Sequence, residues 1–405
     1  MDKTIAILGA LDTKGAEFEY LKNEIEKRGC RTFVINSGVL GEPPFSPDIS
    51  AEEVAQAGGT PLTELISKDD RGEAVAVMTE GAAKIVSKYF EEGRFDGIIS
   101  MGGGAGTAMG TSAMRQLPVG VPKVMVTTIA SGDTSPYVGT SDINMFPAIV
   151  DVAGLNRISR TIYANAAGAI CGMVTGEVEK DSDDKPLIAA TMFGNTTTAV
   201  EHAREILEEE GYEVLVFHAT GIGGRTMEML VDSGYFAGVL DMTTTEWADE
   251  VCGGVLSAGS QRLDAASKAG VPQVVTPACI DMANFWARET VPDKYADRLF
   301  YEWAPNVTLM RTNLEENEEM GRIFARKLNT SDGPVAVYVP MGGFSQIDAP
   351  GKPFWWPEAN QAFVDGLKSA LKPEIPVVVS DKNVNDPEFS GQVARKLLEM
   401  LSTGG

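Results

Sequence analysis

Residues Phe95–Met101 read FDGIISM and run directly into GGGAGTAMGTS; residues Phe236–Met242 read FAGVLDM and run into TTTEWADE. Each is an apolar run with the length of a buried strand, closed by glycines or hydroxyl-bearing residues. Each is followed by the same punctuation and another apolar run, GVPKVMVT from Gly120 and GVPQVVTP from Gly270. Outward from the first pair, Thr4–Gly9 (TIAILG) is a further strand, Ala16–Arg28 carries Phe18, Leu21 and Ile25 at helical spacing, and RTFVIN follows Gly29. Outward from the second, LIAATMF, a polar loop from Gly194, a helix over Val200–Glu210, Gly211 and YEVLVFH repeat that order. The chain therefore reads as α/β, with two Rossmann-like lobes, mainly parallel sheets and the pattern of an internal duplication. The loops that follow the strands fall at strand carboxyl ends, where open α/β sheets bind ligands.

At 405 residues the chain exceeds what one core ordinarily serves. An N-terminal lobe over 1–180 and a C-terminal lobe with an extended tail over 181–405 are expected, divided in the charged stretch Glu177–Pro186. Gly41–Arg71, rich in Pro, Gly and acids, reads as a surface excursion of the first lobe, and Val150–Met173 as helical. The tail holds YVPMGGFSQIDAPGKPFWWP, a helix near Gln361–Leu371, the strand IPVVVS and a last helix. No apolar run approaches the roughly 18 residues of a membrane span. MDKTIAILGA enters a strand without the apolar stretch of a secretory signal, so a cytoplasmic location is expected. Cys30, Cys171, Cys252 and Cys279 are scattered, which suits reduced thiols better than a disulfide framework or a zinc site. With 57 acidic against 34 basic residues, the formal charge of −23 argues against a nucleic-acid partner. It leaves room for a phosphate held locally by backbone amides.

Met101–Gly110 (MGGGAGTAMG) is the strongest local signal. Gly102, Gly103, Gly104 and Gly106 let backbone amides approach a phosphate, and the helix start that follows adds positive potential. The stretch fits neither a P-loop nor GxGxxG, and its plain alternative is a tight strand–helix turn. Asp12-Thr13-Lys14-Gly15 should share that sheet edge, with Thr13 as a helix cap facing Glu17 and Lys14 as phosphate countercharge. Thr127, Thr128, Ser131, Gly132 and Asp133 form a polar cluster suited to a ribose, a phosphate or a Mg²⁺ held through waters, unless they are simply turn formers.

In the second lobe four groups should converge at neighbouring strand ends. They are Asn195 with Thr196–Thr198, His218 through Gly223, Gly224 and Arg225, Asp241 with Thr243, Thr244, Thr245 and Glu246, and Asp281 with Asn284. Such a set suits an anionic or polyol small molecule. His218 is the candidate base and Arg225 a substrate anchor, although a lone histidine is more often structural. His202, beside Glu201, should be solvated. Cys279 lies at a strand end with no base identified, and Trp355 and Trp356 should pack the tail or a dimer contact. A homodimer is expected.

With these loops assembled, the chain resembles the uncharacterised family named for the ATP-binding domain of the tomato mosaic virus resistance protein. The likeness is carried by AILGALDTKGAEF (Ala6–Phe18), ISMGGGAGTAMGT (Ile99–Thr111), FHATGIGGRTMEML (Phe217–Leu230), IDMANF (Ile280–Phe285), PMGGFSQID (Pro340–Asp348) and NDPEF (Asn385–Phe389), which span nearly the whole chain. The resemblance implies ATP, with Mg²⁺, in the first lobe at Asp12–Gly15 and Gly102–Thr107 and less directly at Thr127–Asp133. In longer relatives the module precedes a TIM-barrel-like region, whose chemistry is not expected here. An ATP-dependent enzyme with a second metabolite is the leading expectation. The alternatives are ATP-independent chemistry at His218 on a carboxylated or polyol metabolite, and a non-catalytic, ATP-regulated interaction module.

Overall fold

Alternation of apolar residues along the central strands decides how the first lobe is layered. In the computed structural model, which describes residues 3–176 and 184–403, strand β1 (Thr4–Gly9) sends Ile5 and Ile7 to one side of its sheet and Ala6 and Leu8 to the other. Both sides are buried, so the strand is apolar throughout, as parallel strands covered on both faces must be. The remaining strands are β2 (Arg31–Asn36), β3 (Gly97–Gly102), β4 (Lys123–Thr127) and β5 (Asn144–Pro147), all parallel, in the order β2-β1-β3-β4-β5. Helices α1 (Leu11–Glu26) and α7 (Arg157–Thr175) cover one face. On the other lie α2 (Ala51–Ala57), α3 (Leu62–Lys68), α4 (Arg71–Glu91) and α5 (Gly104–Met114). A short α6 (Ser135–Val138) precedes β5.

The second lobe is built on the same plan and extended by one strand. Its sheet comprises β6 (Leu187–Met192), β7 (Glu213–His218), β8 (Phe236–Thr243), β9 (Gln273–Ala278), β13 (Val335–Pro340) and β14 (Val377–Ser380). All pairings are parallel, in the order β7-β6-β8-β9-β13-β14. Numbered within each lobe, both sheets run 2-1-3-4-5, and the second adds a sixth strand. Helices α8 (Thr197–Glu209), α9 (Ile222–Asp232), α10 (Glu246–Cys252), α11 (Ala265–Ala269), α12 (Leu314–Leu328), α13 (Pro357–Ala370) and α14 (Pro387–Thr403) sandwich it. A separate antiparallel sheet, β10 (Met282–Phe285), β11 (Phe300–Ala304) and β12 (Val307–Arg311), grows from the loop after β9.

The chain divides into two compact units, Met1–Lys180 and Asp181–Gly405, each with its own hydrophobic cores. Most of the expected linker, residues 177–183, lies outside the described residues. The excursion over 41–71 is more ordered than its composition suggests: it contains α2 and α3, the first held by a capping box between Ser50 and Glu53. Among the described residues, no helix is long and apolar enough to cross a membrane.

Candidate functional site

In the first sheet the strand order reverses between β1 and β3, the switch point at which the carboxyl edge of a doubly wound sheet opens into a crevice. A cavity of about 790 Å³ lies there. Its polar lining comes from Gly9 and Ala10 after β1, from Asp12, Thr13 and Lys14, from Ser37 and Gly38 after β2, from Asp69, Asp70 and Arg71 where α4 begins, from Gly102–Gly106 after β3, and from Asp151. Its apolar wall includes Leu65 and Ile66 of α3, Ala74, Val75 and Met78 of α4, and Met109 of α5.

The glycine loop has a steric reason. A Cβ on Gly102 would lie 2.9 Å from the Cα of Gly106, so only glycine lets the chain fold from β3 straight into α5. Gly103 occupies the cap position of α5, and no side chain caps that helix. The first intrahelical bond is Thr107 N–H to Gly103 O, which leaves the amides of Gly104, Ala105 and Gly106 as the helix's free donors. Ser37, at the end of β2, is buried, and its hydroxyl has no hydrogen-bond partner. A buried hydroxyl without a partner costs of order 1–3 kcal/mol, a penalty that a ligand atom can remove.

Asp12 and Lys14 have different fates. Both oxygens of Asp12 accept backbone bonds, Oδ1 from Thr13 N at 2.7 Å and Oδ2 from Leu40 N at 2.6 Å, so this carboxylate clamps the loop at 38–41 to the rim. Lys14 breaks the regular helix (φ −128°, ψ 21°) and lines the cavity. Among the described residues its ammonium has no hydrogen-bond or ion-pair partner. Thr13 is not a cap: the helix starts after Ala10, and buried Glu17 instead accepts from Gly154 N. Gly15 lies against Pro44 rather than in the cavity.

The loop after β4 does not join the lining. Thr107 and Thr127 are buried and bonded to each other (Oγ1···Oγ1 2.6 Å), which joins α5 to β4. Gly132 and Asp133 lie outside the lining, and Asp133 instead accepts from Ser135 N at 3.0 Å. Sequence reading missed Ser37, the apolar wall and Arg71, which begins α4 and lines the cavity. The signal was present: Arg71, Ala74, Val75 and Met78 fall at i, i+3, i+4 and i+7, one face of a helix.

The second lobe fills the corresponding edge with its own side chains. Glu246 occupies the amide cradle of the GIGG turn, accepting at Oε1 from Gly221 N at 2.7 Å and Gly224 N at 3.1 Å. A Cβ on Gly224 would fall 2.2 Å from that carboxylate. Arg262, fully buried, answers it at 2.7 Å, grips Asp241 with two nitrogens at 2.5 and 2.7 Å, and reaches Glu228 at 3.0 Å. Burial opposes its charge, but Asp241, Glu246 and Glu228 hold it firmly protonated.

The threonines are likewise internal: Thr196 bonds Thr243 at 2.8 Å, Thr244 donates to Thr276 O at 2.8 Å, and Thr245 lies 3.4 Å from the Asn284 amide. Asn195 is buried beside Met282. Asp281 accepts from Ser345 at 2.8 Å, and burial with the neighbouring charge of Asp348 pushes it up to about 7. Asn195, Thr196, Gly223, Gly224, Thr243, Thr244, Thr245, Asp281 and Asn284 are thus brought together at or near one edge, mostly as an interior polar network.

His218 and Arg225 are not part of that network. Both are exposed, and His218 stacks on Phe193 with ring centroids 5.6 Å apart. His202 is not simply solvated; its Nδ1 pairs with Ser390 at 2.8 Å and ties α8 to α14. Cys279 is buried in a left-handed backbone conformation (φ +61°), and burial pushes its thiol far above the reactive range. Trp355 and Trp356 are half-buried, with the Arg311 guanidinium 5.9 Å from the Trp356 ring.

Comparison with known proteins bears on the chain as a whole. A UPF0261 protein of Clostridium tetani is 51% identical over 402 residues, covering 99% of this chain and all of that one. A second UPF0261 protein, from Rhizobium meliloti, is 44% identical over 96% of each. The ToMV resistance protein Tm-1(GCR237) of Solanum lycopersicum is 41% identical over 82% of this chain, which spans 45% of the tomato protein. Among solved structures, UDP-N-acetylglucosamine 2-epimerase from Rickettsia bellii aligns at 11% identity over the whole chain and 96% of its own, with a TM-score of 0.24, a similarity too slight to bear on ligand or chemistry. The models of the uncharacterised protein family UPF0261 match its N-terminal domain at residues 3–179 and its C-terminal domain at residues 185–401, and this chain belongs to that family.

Proposed function

We propose that the cavity of the first lobe binds a nucleotide through its phosphates, with ATP the leading candidate. The observation that carries this reading is an unpaired Lys14 facing the same cavity as the uncapped amides of Gly104–Gly106, at the switch point of a parallel sheet. Amides at a helix start and an ammonium are complementary to phosphate, and the apolar wall formed by α3, α4 and α5 suits a base. The resemblance of Ala6–Phe18 and Ile99–Thr111 to the uncharacterised family named for an ATP-binding domain points to the same residues.

Among the described residues no group of three or more His, Cys, Asp or Glu side chains gathers to hold a metal. Asp12 is already committed to two amides. Any Mg²⁺ would therefore arrive with the phosphates and keep most of its waters. The reading is one of binding; hydrolysis or transfer is a separate question, answered by assaying phosphate release.

The test is calorimetric titration of the full chain with ATP and Mg²⁺, beside Gly103→Asp and Lys14→Gln. Gly103→Asp sets a carboxylate among the phosphate-facing amides and should abolish binding. Lys14→Gln should weaken it by roughly 10- to 100-fold, the range of a lost charge-assisted hydrogen bond. Absence of binding by the parent protein, or unchanged affinity in both variants, removes the reading.

A further inference from the structure

We infer that Arg71 is a specificity-determining residue that makes the first-lobe site select polyphosphate ligands over monophosphates. The inference rests on the nucleotide reading above and adds which phosphates are read, and by what.

Topology puts Arg71 on the phosphate rim. In a parallel sheet with helical crossovers each helix runs back against its strands, so it begins at their carboxyl edge. Helices α1, α4 and α5 all begin at the edge where the cavity opens. Arg71 is the first residue of α4, Gly104 the first of α5, and Lys14 lies in the opening turns of α1. Two cations and the starts of three helices therefore converge on one cavity.

Arg71 is also poorly placed for a purely structural role. A cation at a helix start opposes the positive end of the helix dipole. The adjacent cap, Asp70, directs its carboxylate to Glu73 N at 3.0 Å, and among the described residues Arg71 has no ion pair or hydrogen bond. In a chain with 57 acidic residues, many of its cations are paired; the neighbouring Lys68, for example, bridges Glu64 at 3.0 Å and Glu73 at 2.7 Å. On the same rim, the buried hydroxyl of Ser37 also lacks a partner. The lining also carries the carboxylates of Asp12, Asp69, Asp70 and Asp151, of which Asp12 and Asp70 already accept from backbone amides. Lys14, Arg71, the Ser37 hydroxyl and the helix-start amides still offer more unpaired donors than one phosphate can satisfy. A second or third phosphate beyond the group held by Gly104–Gly106 and Lys14 would meet the guanidinium fork of Arg71, whose geometry matches phosphate oxygens in pairs.

The experiment titrates the full chain and Arg71→Gln with AMP, ADP, ATP and inorganic tripolyphosphate, each with Mg²⁺. Lys68→Gln, at the end of α3 and absent from the lining, serves as a charge-matched control, and thermal melting checks that all three proteins are folded. The expected result is that Arg71→Gln weakens ATP and tripolyphosphate by about tenfold or more and AMP by less than about twofold, while Lys68→Gln leaves the series unchanged. Equal losses for AMP, ADP and ATP, or none, overturn the inference while leaving the nucleotide reading intact. Arg71-dependent binding of tripolyphosphate without nucleotide binding does the reverse: polyphosphate selection stands and the nucleotide reading fails. If the parent protein binds none of the four, both are overturned.

Discussion

Asp249 shows how far a single buried carboxylate departs from its sequence identity. In the sequence it is one acid among 57, in the acidic stretch after β8; in the structure it is fully buried, and that burial pushes it up to about 7. Hydrogen bonds from Asn284 N at 2.9 Å and Asn284 Nδ2 at 2.7 Å pull the other way without restoring the ordinary value. The Oδ1 of Asn284 has no donor, and turning that amide over would let it accept the Asp249 proton. The sign of the linkage follows. Between about pH 4 and pH 7 the folded state keeps a proton that the unfolded chain has released, so stability falls as pH rises through that window. Asp249→Asn has no such proton. Its unfolding midpoint should be flatter than the parent's between about pH 5 and about pH 7.5, and identical slopes would place the titration elsewhere. Asp241 was more legible: a carboxylate inside the apolar run FAGVLDM calls for a buried cation. Which cation could not be read, because Arg262 meets Asp241 only after the turns that follow α10, a tertiary placement with no local signature.

At the scale of elements, strands bounded by glycine could be read directly, because period, length and punctuation are all local. The apolar runs at Phe95–Met101 and Phe236–Met242 form β3 and β8, and the GVP runs form β4 and β9. The antiparallel sheet β10–β12 was not legible. Its strands are four or five residues long, contain Asn284 and Glu302, and gain their definition from pairing across loops. The excursion over 41–71 was misread for a related reason. Its composition is that of a loop, yet α3 and the preceding residues place Leu40 and Ile66, 77% and 55% exposed, beside the cavity. Exposed apolar side chains at a cavity are a surface that a ligand would cover. The apolar wall gives a prediction of its own. Val75→Trp, on the cavity face of α4 and only half-buried, should fill the space allotted to a base. Nucleotide affinity should drop by about tenfold or more, while tripolyphosphate, which has no base, should bind as before. Loss of both in a folded variant would mean that the apolar wall does not hold the base.

For the whole molecule, one topology is put to two uses: a cavity open at the first switch point, and at the second a carboxylate and an arginine of the protein itself. Glu246 in the GIGG cradle with Arg262 opposite is an internal counterpart of the anion and cation proposed for the first lobe. The polar residues of both edges were visible in the sequence. Whether they faced a ligand or one another was not, because that depends on side chains from distant segments. The two uses separate in a calorimetric scan. Each unit has its own cores, so two transitions are expected. ATP with Mg²⁺ at about 100 times its dissociation constant stabilises the unit that binds it by about 2.7 kcal/mol, roughly 5–10 °C for a unit of this size. Only the first-lobe transition should move, and not in Gly103→Asp. Arg262→Lys should lower only the other transition. Lysine cannot reproduce the two-nitrogen grip on Asp241 or reach Glu246 and Glu228 together, and disrupting a buried charge network costs roughly 3–5 kcal/mol. A nucleotide shift in the Arg262-sensitive transition would place the binding site in the second lobe and contradict the assignment.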